Sequence, residues 1–268
     1  MNTEIISLWN GEIPGNSGAS DIPVLTWYKS ENKTKRATVL IFPGGGYSHL
    51  APHEGEGYAV FLNAHGYDAF VLNYRRTPDH FPLPLLDARR ALRVLRRDAE
   101  KFGIDPNKIA VMGSSAGGHL AALVSTYRGR IEGEGVDEID EIGAIPNATV
   151  LCYPVIDMVG EFTHVGSRNN LLGENQLGLA ESVSPQLIAD EETPPAFLMH
   201  TAEDAGVNVN NSYIYASKLR SLNIPVEMHV FPFGRHGLGL GNVDYRGINP
   251  HMAQWGGLLI NWLALMEF

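Results

Sequence analysis

The chain has 268 residues, 44% of them hydrophobic, which suits a single domain over residues 1–268 with a large buried core. A formal net charge of −10 argues against nucleic acid or an anionic membrane as the main partner, because both bind clustered Lys and Arg. Residues 1–11 lack the basic start and long apolar stretch of a signal peptide, and no run approaches the ~18 apolar residues of a membrane span. We therefore expect a cytoplasmic protein.

Strands and helices are predicted to alternate in the first part of the chain. Apolar and helix-periodic runs predict, in order, strand 24–28, strand 37–42, helix 57–65, strand 68–74 and helix 85–102. Asp87 is expected to cap the last of these helices. The arginines after it have the spacing of one solvent-exposed face of an amphipathic helix, and they are Arg89, Arg90, Arg93, Arg96 and Arg97.

The most informative motif follows, at residues 113–117, where Gly-Ser-Ser-Ala-Gly fits the G-x-S-x-G pattern of a nucleophile elbow. The apolar run 108–112 predicts a buried strand before it, and the small and apolar residues 119–124 predict a helix after it. A serine hydroxyl is a weak nucleophile, so it must be exposed on a sharp turn beside a base. This context favours Ser115 as a nucleophile over the alternative of a turn that only connects two elements.

The remaining elements extend the alternation. Residues 128–145 are predicted to be an acidic surface excursion, and 157–193 a short, polar, irregular cover with short helices. The predicted regular elements are strand 148–153, strand 196–200, helix 208–222, strand 226–231 and helix 252–266. Alternating strands and helices imply an α/β fold with a mostly parallel sheet and helices on both faces. The single cysteine, Cys152, allows no intrachain disulfide and is expected to be a buried small hydrophobe.

A serine nucleophile needs a base and an orienting acid, and loops after strands supply candidates at one edge of the sheet. His236 follows the strand ending near residue 231 and is the candidate base. Asp204 follows the strand 196–200 and is the candidate acid, although a helix-capping role is the alternative. Glu203 and Asp157 also follow strands and remain rival acids.

The other histidines are weaker candidates for the base. His200 and His229 lie in predicted strands and are expected to be satisfied core residues, while His119 is expected to pack near the site without titrating. The rest do not follow a late strand, and they are His49, His53, His65, His80, His164 and His251.

An oxyanion hole requires backbone N–H groups aimed at the developing negative charge. Ala116, directly after the candidate nucleophile, and the glycine run 44–46, after an early strand, are the expected donors. A phosphate loop is disfavoured because neither G-x-x-x-x-G-K-[ST] nor G-x-G-x-x-G occurs. A zinc site is disfavoured because the chain has no H-E-x-x-H, and the pair at residues 53–54 lacks the second histidine.

The runs 41–47, 113–121, 200–204 and 231–237 resemble those of α/β-hydrolase esterases. Within that superfamily the chain most resembles the bacterial acetyl esterases described as acetylxylan esterases or sugar-ester hydrolases. The resemblance implies an α/β-hydrolase fold from about residue 9 to 262, with no metal and no organic cofactor. It implies that Ser115 is the nucleophile, Asp204 the acid and His236 the base, and that the oxyanion donors are Gly45, Gly46 and Ala116.

The implied activity is hydrolysis of short-chain acyl esters, above all acetyl esters on xylo-oligosaccharides or other sugars, through an acyl-enzyme. Pro43 departs from the histidine of hormone-sensitive-lipase-like relatives, which argues against a lipase. A longer-chain esterase or a peptidase remains an alternative, because the same triad serves all three. An inactive hydrolase fold that binds a ligand is a third hypothesis, although such proteins usually lose a triad residue. Esterases of this size are often homodimers, but the sequence identifies no surface for self-association.

Overall fold

The computed structural model describes residues 2–16, 18, 21–241 and 249–268. The strands are β1 (Asn2–Ser7), β2 (Val24–Lys29), β3 (Thr38–Phe42), β4 (Asp68–Asn73), β5 (Ile109–Ser114), β6 (Ala148–Cys152), β7 (Ala196–Thr201) and β8 (Val226–Phe231). In the described ranges they form one sheet in the order β1-β2-β4-β3-β5-β6-β7-β8. Strand β2 pairs antiparallel with β1 and β4, and the other described strand pairs are parallel, so the predicted mostly parallel sheet is confirmed.

The α-helices are α1 (Pro52–Ala64), α2 (Leu83–Arg97), α3 (Ala99–Phe102), α4 (Ala116–Thr126), α5 (Val165–Leu172), α6 (Pro185–Ile188), α7 (Asn210–Ser221) and α8 (Trp255–Leu265). Short 3-10 helices span Glu138–Glu141, Glu174–Leu179, Glu181–Val183 and Met252–Gln254. The predicted irregular cover with short helices is thus confirmed at 157–193. Helix α1 begins before the predicted residue 57, because Pro52 fits the first helical turn, where its missing N–H has no helical partner to lose.

Helices cover both faces of the sheet. Helices α1 and α8 pack on one face, while α2, α4 and α7 pack on the other. Every residue of β3, β5 and β6 is therefore buried, as expected for parallel strands covered on both sides. Cys152 is fully buried as predicted, and burial raises the pKa of its thiol far above the ordinary range. Among the described helices, none is long and apolar enough to cross a membrane.

The sequence did not identify β1, because its single buried side chain leaves a weak pattern; among the described strands, β1 lies at the edge of the sheet and pairs with β2 alone. The prediction that Asp87 caps a helix is wrong. Helix α2 begins at Leu83 and contains Asp87 in its interior, where the fully buried carboxylate binds the guanidinium of Arg75 at 2.7 Å and accepts its backbone N–H at 2.8 Å. Asp87 therefore links α2 to the end of β4.

The predicted solvent-exposed arginine face of α2 is wrong for three of its five residues, although Arg97 is exposed and Arg96 is half-buried. Arg89, Arg90 and Arg93 are buried beneath the acidic segment 128–145. Their ion-pair partners there are Glu134, Asp137 and Asp140. A helical face with this charge pattern can meet water or an oppositely charged segment, and its spacing alone does not distinguish the two.

Candidate active site

Ser115 stands on the sharp turn between β5 and α4, with φ 53° and ψ −118°. A positive φ is strained for a residue with a Cβ and must be held by its surroundings. The Ser115 N–H donates to the carbonyl of Cys152 at 3.0 Å, and its own carbonyl accepts the N–H of Val155 at 3.0 Å. The side chain is 7% exposed, so the turn presents the hydroxyl at the bottom of a cavity.

The flanking glycines of the motif are required by space. A Cβ on Gly113 would lie 2.0 Å from the carbonyl oxygen of Gly117, and one on Gly117 would lie 2.0 Å from that of Phe42. The turn can therefore close against the end of β3 only without side chains at these positions. This contact also brings Ser115 next to the glycine loop that follows β3.

Ser115, His236 and Asp204 form a continuous line of hydrogen bonds. His236 Nε2 lies 2.8 Å from Ser115 Oγ, and His236 Nδ1 lies 2.7 Å from Asp204 Oδ2. Because a carboxylate only accepts, Nδ1 carries the proton and Nε2 presents its lone pair to the serine hydroxyl. This is the arrangement in which an imidazole can act as general base toward a serine.

Asp204 is held as an ionised acceptor. Its Oδ1 accepts the backbone N–H groups of Gly206 at 2.8 Å and Val207 at 2.9 Å. Its Oδ2 lies 3.3 Å from His200 Nε2 in addition to the bond with His236. Burial raises the pKa of the Asp204 carboxyl, but the hydrogen bonds from His200 and His236 outweigh it and hold that pKa well below the usual range.

The rival acids have other partners. Glu203 Oε1 accepts the backbone N–H of Gly234 at 2.7 Å, which fixes the start of the loop that carries His236. Asp157 accepts the backbone N–H groups of its own turn, the closest being that of Gly160 at 2.9 Å. Neither carboxylate is hydrogen-bonded to His236 within the residues that the structure describes.

Two histidines near the site, His119 and His200, are buried with their ring nitrogens hydrogen-bonded, as predicted. His119 Nε2 lies 2.7 Å from the carbonyl oxygen of Val183 and its Nδ1 lies 2.7 Å from the hydroxyl of Tyr47. Burial lowers the pKa of His119 to about 4, so it is neutral at neutral pH. His200 is fully buried, with Nδ1 bonded to Ser212 at 2.8 Å.

Two of the predicted oxyanion donors, Gly45 and Gly46, border the same cavity as Ser115. Gly45 and Gly46 have φ 130° and 64°, and a Cβ on Gly45 would lie 2.1 Å from the carbonyl oxygen of His49. For the described part of the chain, their N–H groups find no protein acceptor. Ala116 opens α4, where the first N–H groups have no partner within the helix. The two glycine N–H groups and that of Ala116, the residue after Ser115, are therefore the candidate oxyanion donors.

The cavity measures about 320 Å³ and has a polar lining beyond Ser115 and His236. Helix α5 and the residue before it supply His164, Gly166 and Asn170 from the cover, while Ser48, His49 and Glu54 come from the segment after the glycine loop. Asn170 Nδ2 donates to the carbonyl of Gly46 at 2.8 Å, which ties the cover to the oxyanion donors. In the part of the chain described, no three His, Cys, Asp or Glu side chains cluster as metal ligands would.

Sequence reasoning missed these lining residues. It set His49 and His164 aside because neither follows a late strand, and it gave Glu54 no role outside a metal motif. In the sequence these residues lie either shortly after the glycine run or within the predicted cover. Neither position indicates which side chains face the cavity. Only the packing of α1 and α5 against the loops brings them to the site.

The strand order, the serine turn and the position of the loops define an α/β-hydrolase fold with a site of the serine-hydrolase type. Residues 25–219 match the BD-FAE family, and the chain belongs to that family. It is similar over nearly its whole length to a solved acetyl ester-xyloside bifunctional hydrolase from Caldicellulosiruptor lactoaceticus, with 41% identity and a TM-score of 0.90 over 99% of this chain and 97% of that one.

Two curated relatives are also similar. The endo-1,4-beta-xylanase B of Butyrivibrio fibrisolvens is 38% identical over 84% of this chain and 36% of its own length. The acetylxylan esterase of Xylanibacter ruminicola is 33% identical over 79% of this chain and 42% of its own length. The matched region thus spans less than half of each relative. The family and the esterase relatives place the chain among the carboxylic ester hydrolases.

Proposed function

We propose that the protein is a serine carboxylesterase that removes short acyl groups, above all acetyl, from xylo-oligosaccharides or other sugar esters. The observation that carries the proposal is the Ser115–His236–Asp204 line, with hydrogen bonds of 2.8 and 2.7 Å. The names of the similar acetylxylan esterase and acetyl ester-xyloside hydrolase support the choice of substrate.

The first half-reaction acylates the serine. Ser115 Oγ attacks the ester carbonyl while His236 Nε2 takes the hydroxyl proton. The negative charge that develops on the carbonyl oxygen is stabilised by the N–H groups of Gly45, Gly46 and Ala116. The tetrahedral intermediate collapses, the ester C–O bond breaks, and His236 returns the proton to the departing alcohol.

The second half-reaction releases the acid. Water attacks the acyl-serine as His236 takes its proton, and the collapse of the second intermediate restores the Ser115 hydroxyl and frees the carboxylic acid. Asp204 keeps the imidazole in the tautomer with the proton on Nδ1 and stabilises the cation that forms. The low pKa of Asp204 keeps this acceptor charged throughout the cycle.

A direct test compares acetate release from acetylated xylo-oligosaccharides with hydrolysis of p-nitrophenyl acetate and octanoate, with Ser115→Ala as the blank. We expect turnover of the sugar ester and a clear preference for acetate over octanoate, because the cavity is small and polar. Activity on the aryl esters alone would leave a general carboxylesterase and remove the sugar substrate. A folded protein that neither turns over any ester nor reacts with a fluorophosphonate would be a binding protein.

His164 provides a sharper test of the sugar substrate. Its Nδ1 accepts the N–H of Ser167 at 3.2 Å and caps α5, so its Nε2 carries the proton. Burial lowers the pKa of His164, which keeps the ring neutral, and the side chain lines the cavity. We propose that Nε2–H donates to a hydroxyl or ring oxygen of the sugar.

His164→Ser retains a helix cap but removes the outer donor. We expect kcat/KM on the sugar ester to fall about tenfold, the value of one hydrogen bond, and kcat/KM on p-nitrophenyl acetate to change less than about threefold. His65→Phe, at the exposed end of α1, is the control. Equal losses on both esters in His164→Ser would mean that the residue supports the site as a whole instead of reading the sugar.

A further inference from the structure

Glu54 is a buried carboxylate, 2% exposed, in the first turn of α1. Its Oε2 accepts the backbone N–H of Gly44 at 2.8 Å, and its Oε1 accepts the hydroxyl of Tyr153 at 2.8 Å. The ring of His53 is also near, with Nε2 3.7 Å from Glu54 Oε1. Burying a carboxylate costs free energy unless its oxygens are well satisfied, so its position beneath two catalytic loops requires an explanation.

The partners of Glu54 lead to the loop that carries His236. The Tyr153 hydroxyl accepts the N–H of Gly239 at 2.9 Å, and the Tyr153 ring packs edge-on against His236 with 5.2 Å between centroids. His53 Nε2, on the same turn of α1, lies 3.0 Å from the carbonyl oxygen of Gly237. Tyr153 and His53, which both lie next to Glu54, therefore contact the same loop.

The direction of the hydrogen bonds is fixed by the carboxylate. Because a carboxylate oxygen only accepts, the Tyr153 hydroxyl donates its proton to Glu54, and its oxygen accepts the N–H of Gly239. Tyr58 then donates to Tyr153 at 3.1 Å and accepts from Ser114, the residue before the elbow, at 2.9 Å. Burial keeps the pKa of both tyrosines well above the ordinary value, so both hydroxyls remain protonated donors. Glu54 is the final acceptor of this network.

We propose that Glu54 is a positioning residue that fixes the oxyanion loop (residues 43–46) relative to the histidine loop (residues 234–239); this inference rests on the proposed function. By accepting the N–H of Gly44, the carboxylate engages that group, while the next two N–H groups of the loop find no acceptor among the described residues. Through Tyr153 it holds the backbone at Gly239, three residues beyond His236. A carboxylate suits this role because the two groups that it binds, the N–H of Gly44 and the hydroxyl of Tyr153, are both donors.

Glu54→Gln tests the proposal, since an amide of the same shape can accept from only one of the two donors. We expect kcat on p-nitrophenyl acetate to fall about 10- to 100-fold with KM changed less than about threefold, because the substrate still binds but the oxyanion donors and His236 are misplaced. We also expect amide hydrogen exchange to accelerate in both loops. Tyr153→Phe should accelerate exchange mainly in the histidine loop.

The matched controls are Glu134→Gln, which alters a buried carboxylate in the ion-pair cluster of α2, and Tyr67→Phe, which removes a buried hydroxyl that donates to the carbonyl of Phe268. Both should leave exchange in the two loops unchanged. The proposal is overturned if loop exchange in Glu54→Gln matches the wild type, or if exchange rises equally across the chain. Loop exchange needs no turnover, so an inactive wild type would remove the proposed function while the coupling of the loops by Glu54 is still decided.

Discussion

Ser115→Ala is expected to lower kcat on p-nitrophenyl acetate by about 10⁵-fold or more without unfolding the protein. The substitution removes only Oγ, whose hydrogen bond is to His236. Alanine has the same Cβ, so the backbone at φ 53° is strained to the same extent as with serine. Steady-state rates, with a melting temperature for each protein, measure the effect.

Ser125→Ala is the matched control, because Ser125 is also a buried serine, but it lies near the end of α4 and its hydroxyl bonds to the carbonyl of Ala121 and to Thr149 of β6. It should keep nearly full activity. His236→Ala should lose about as much as Ser115→Ala, and the double variant should lose no more, because residues that act as one unit are not additive. Retention of a tenth of the activity in Ser115→Ala would exclude it as the nucleophile.

Asp204→Asn is expected to lower kcat about 10³- to 10⁴-fold. The amide oxygen can still accept the N–H groups of Gly206 and Val207, which leaves the NH₂ group facing His236. A donor there would favour the tautomer with the proton on Nε2, and that tautomer cannot take a proton from Ser115. The loss is therefore one of proton transfer, visible in kcat with the fold intact.

The rival carboxylates supply the controls for this experiment. Glu203→Gln and Asp157→Asn replace carboxylates that hold backbone turns by amides whose oxygen can still accept an N–H, so each should retain more than a tenth of the wild-type kcat. If Asp204→Asn stayed within about tenfold of the wild type while one rival variant lost far more, the orienting acid would be reassigned to that rival.

The Ser115, Asp204 and His236 positions could be predicted because their signals are local. Ser115 directly follows β5, Asp204 lies three residues after the end of β7 and His236 five residues after the end of β8, and parallel strands bring such positions to one edge of the sheet. The structure brings the three side chains within hydrogen-bond reach, while their catalytic roles stay predictions for the variants above to test. The α/β-hydrolase fold itself is confirmed by the strand order and by the similar solved structures.

The surroundings of these residues could not be predicted in the same way. Glu54, Tyr153 and His164 come from a helix, a strand end and the cover, and only tertiary packing brings them together. The prediction of solvent exposure was wrong for the buried arginines of α2 for a related reason. The acidic residues that pair with them lie more than forty positions away along the chain. Periodicity within one element carries no information about such partners.

The hydrogen bond from Asn170 to the carbonyl of Gly46 joins the cover, where we propose that the sugar binds, to the loop that carries the proposed oxyanion donors. Under the proposed function, substrate choice and turnover are consequently not separate modules. A transplanted cover with a different selectivity would bring its own geometry to the oxyanion donors as well. Engineering for a new ester therefore has to redesign the cover and the glycine loop together, or keep Asn170 so that its hydrogen bond to Gly46 is preserved.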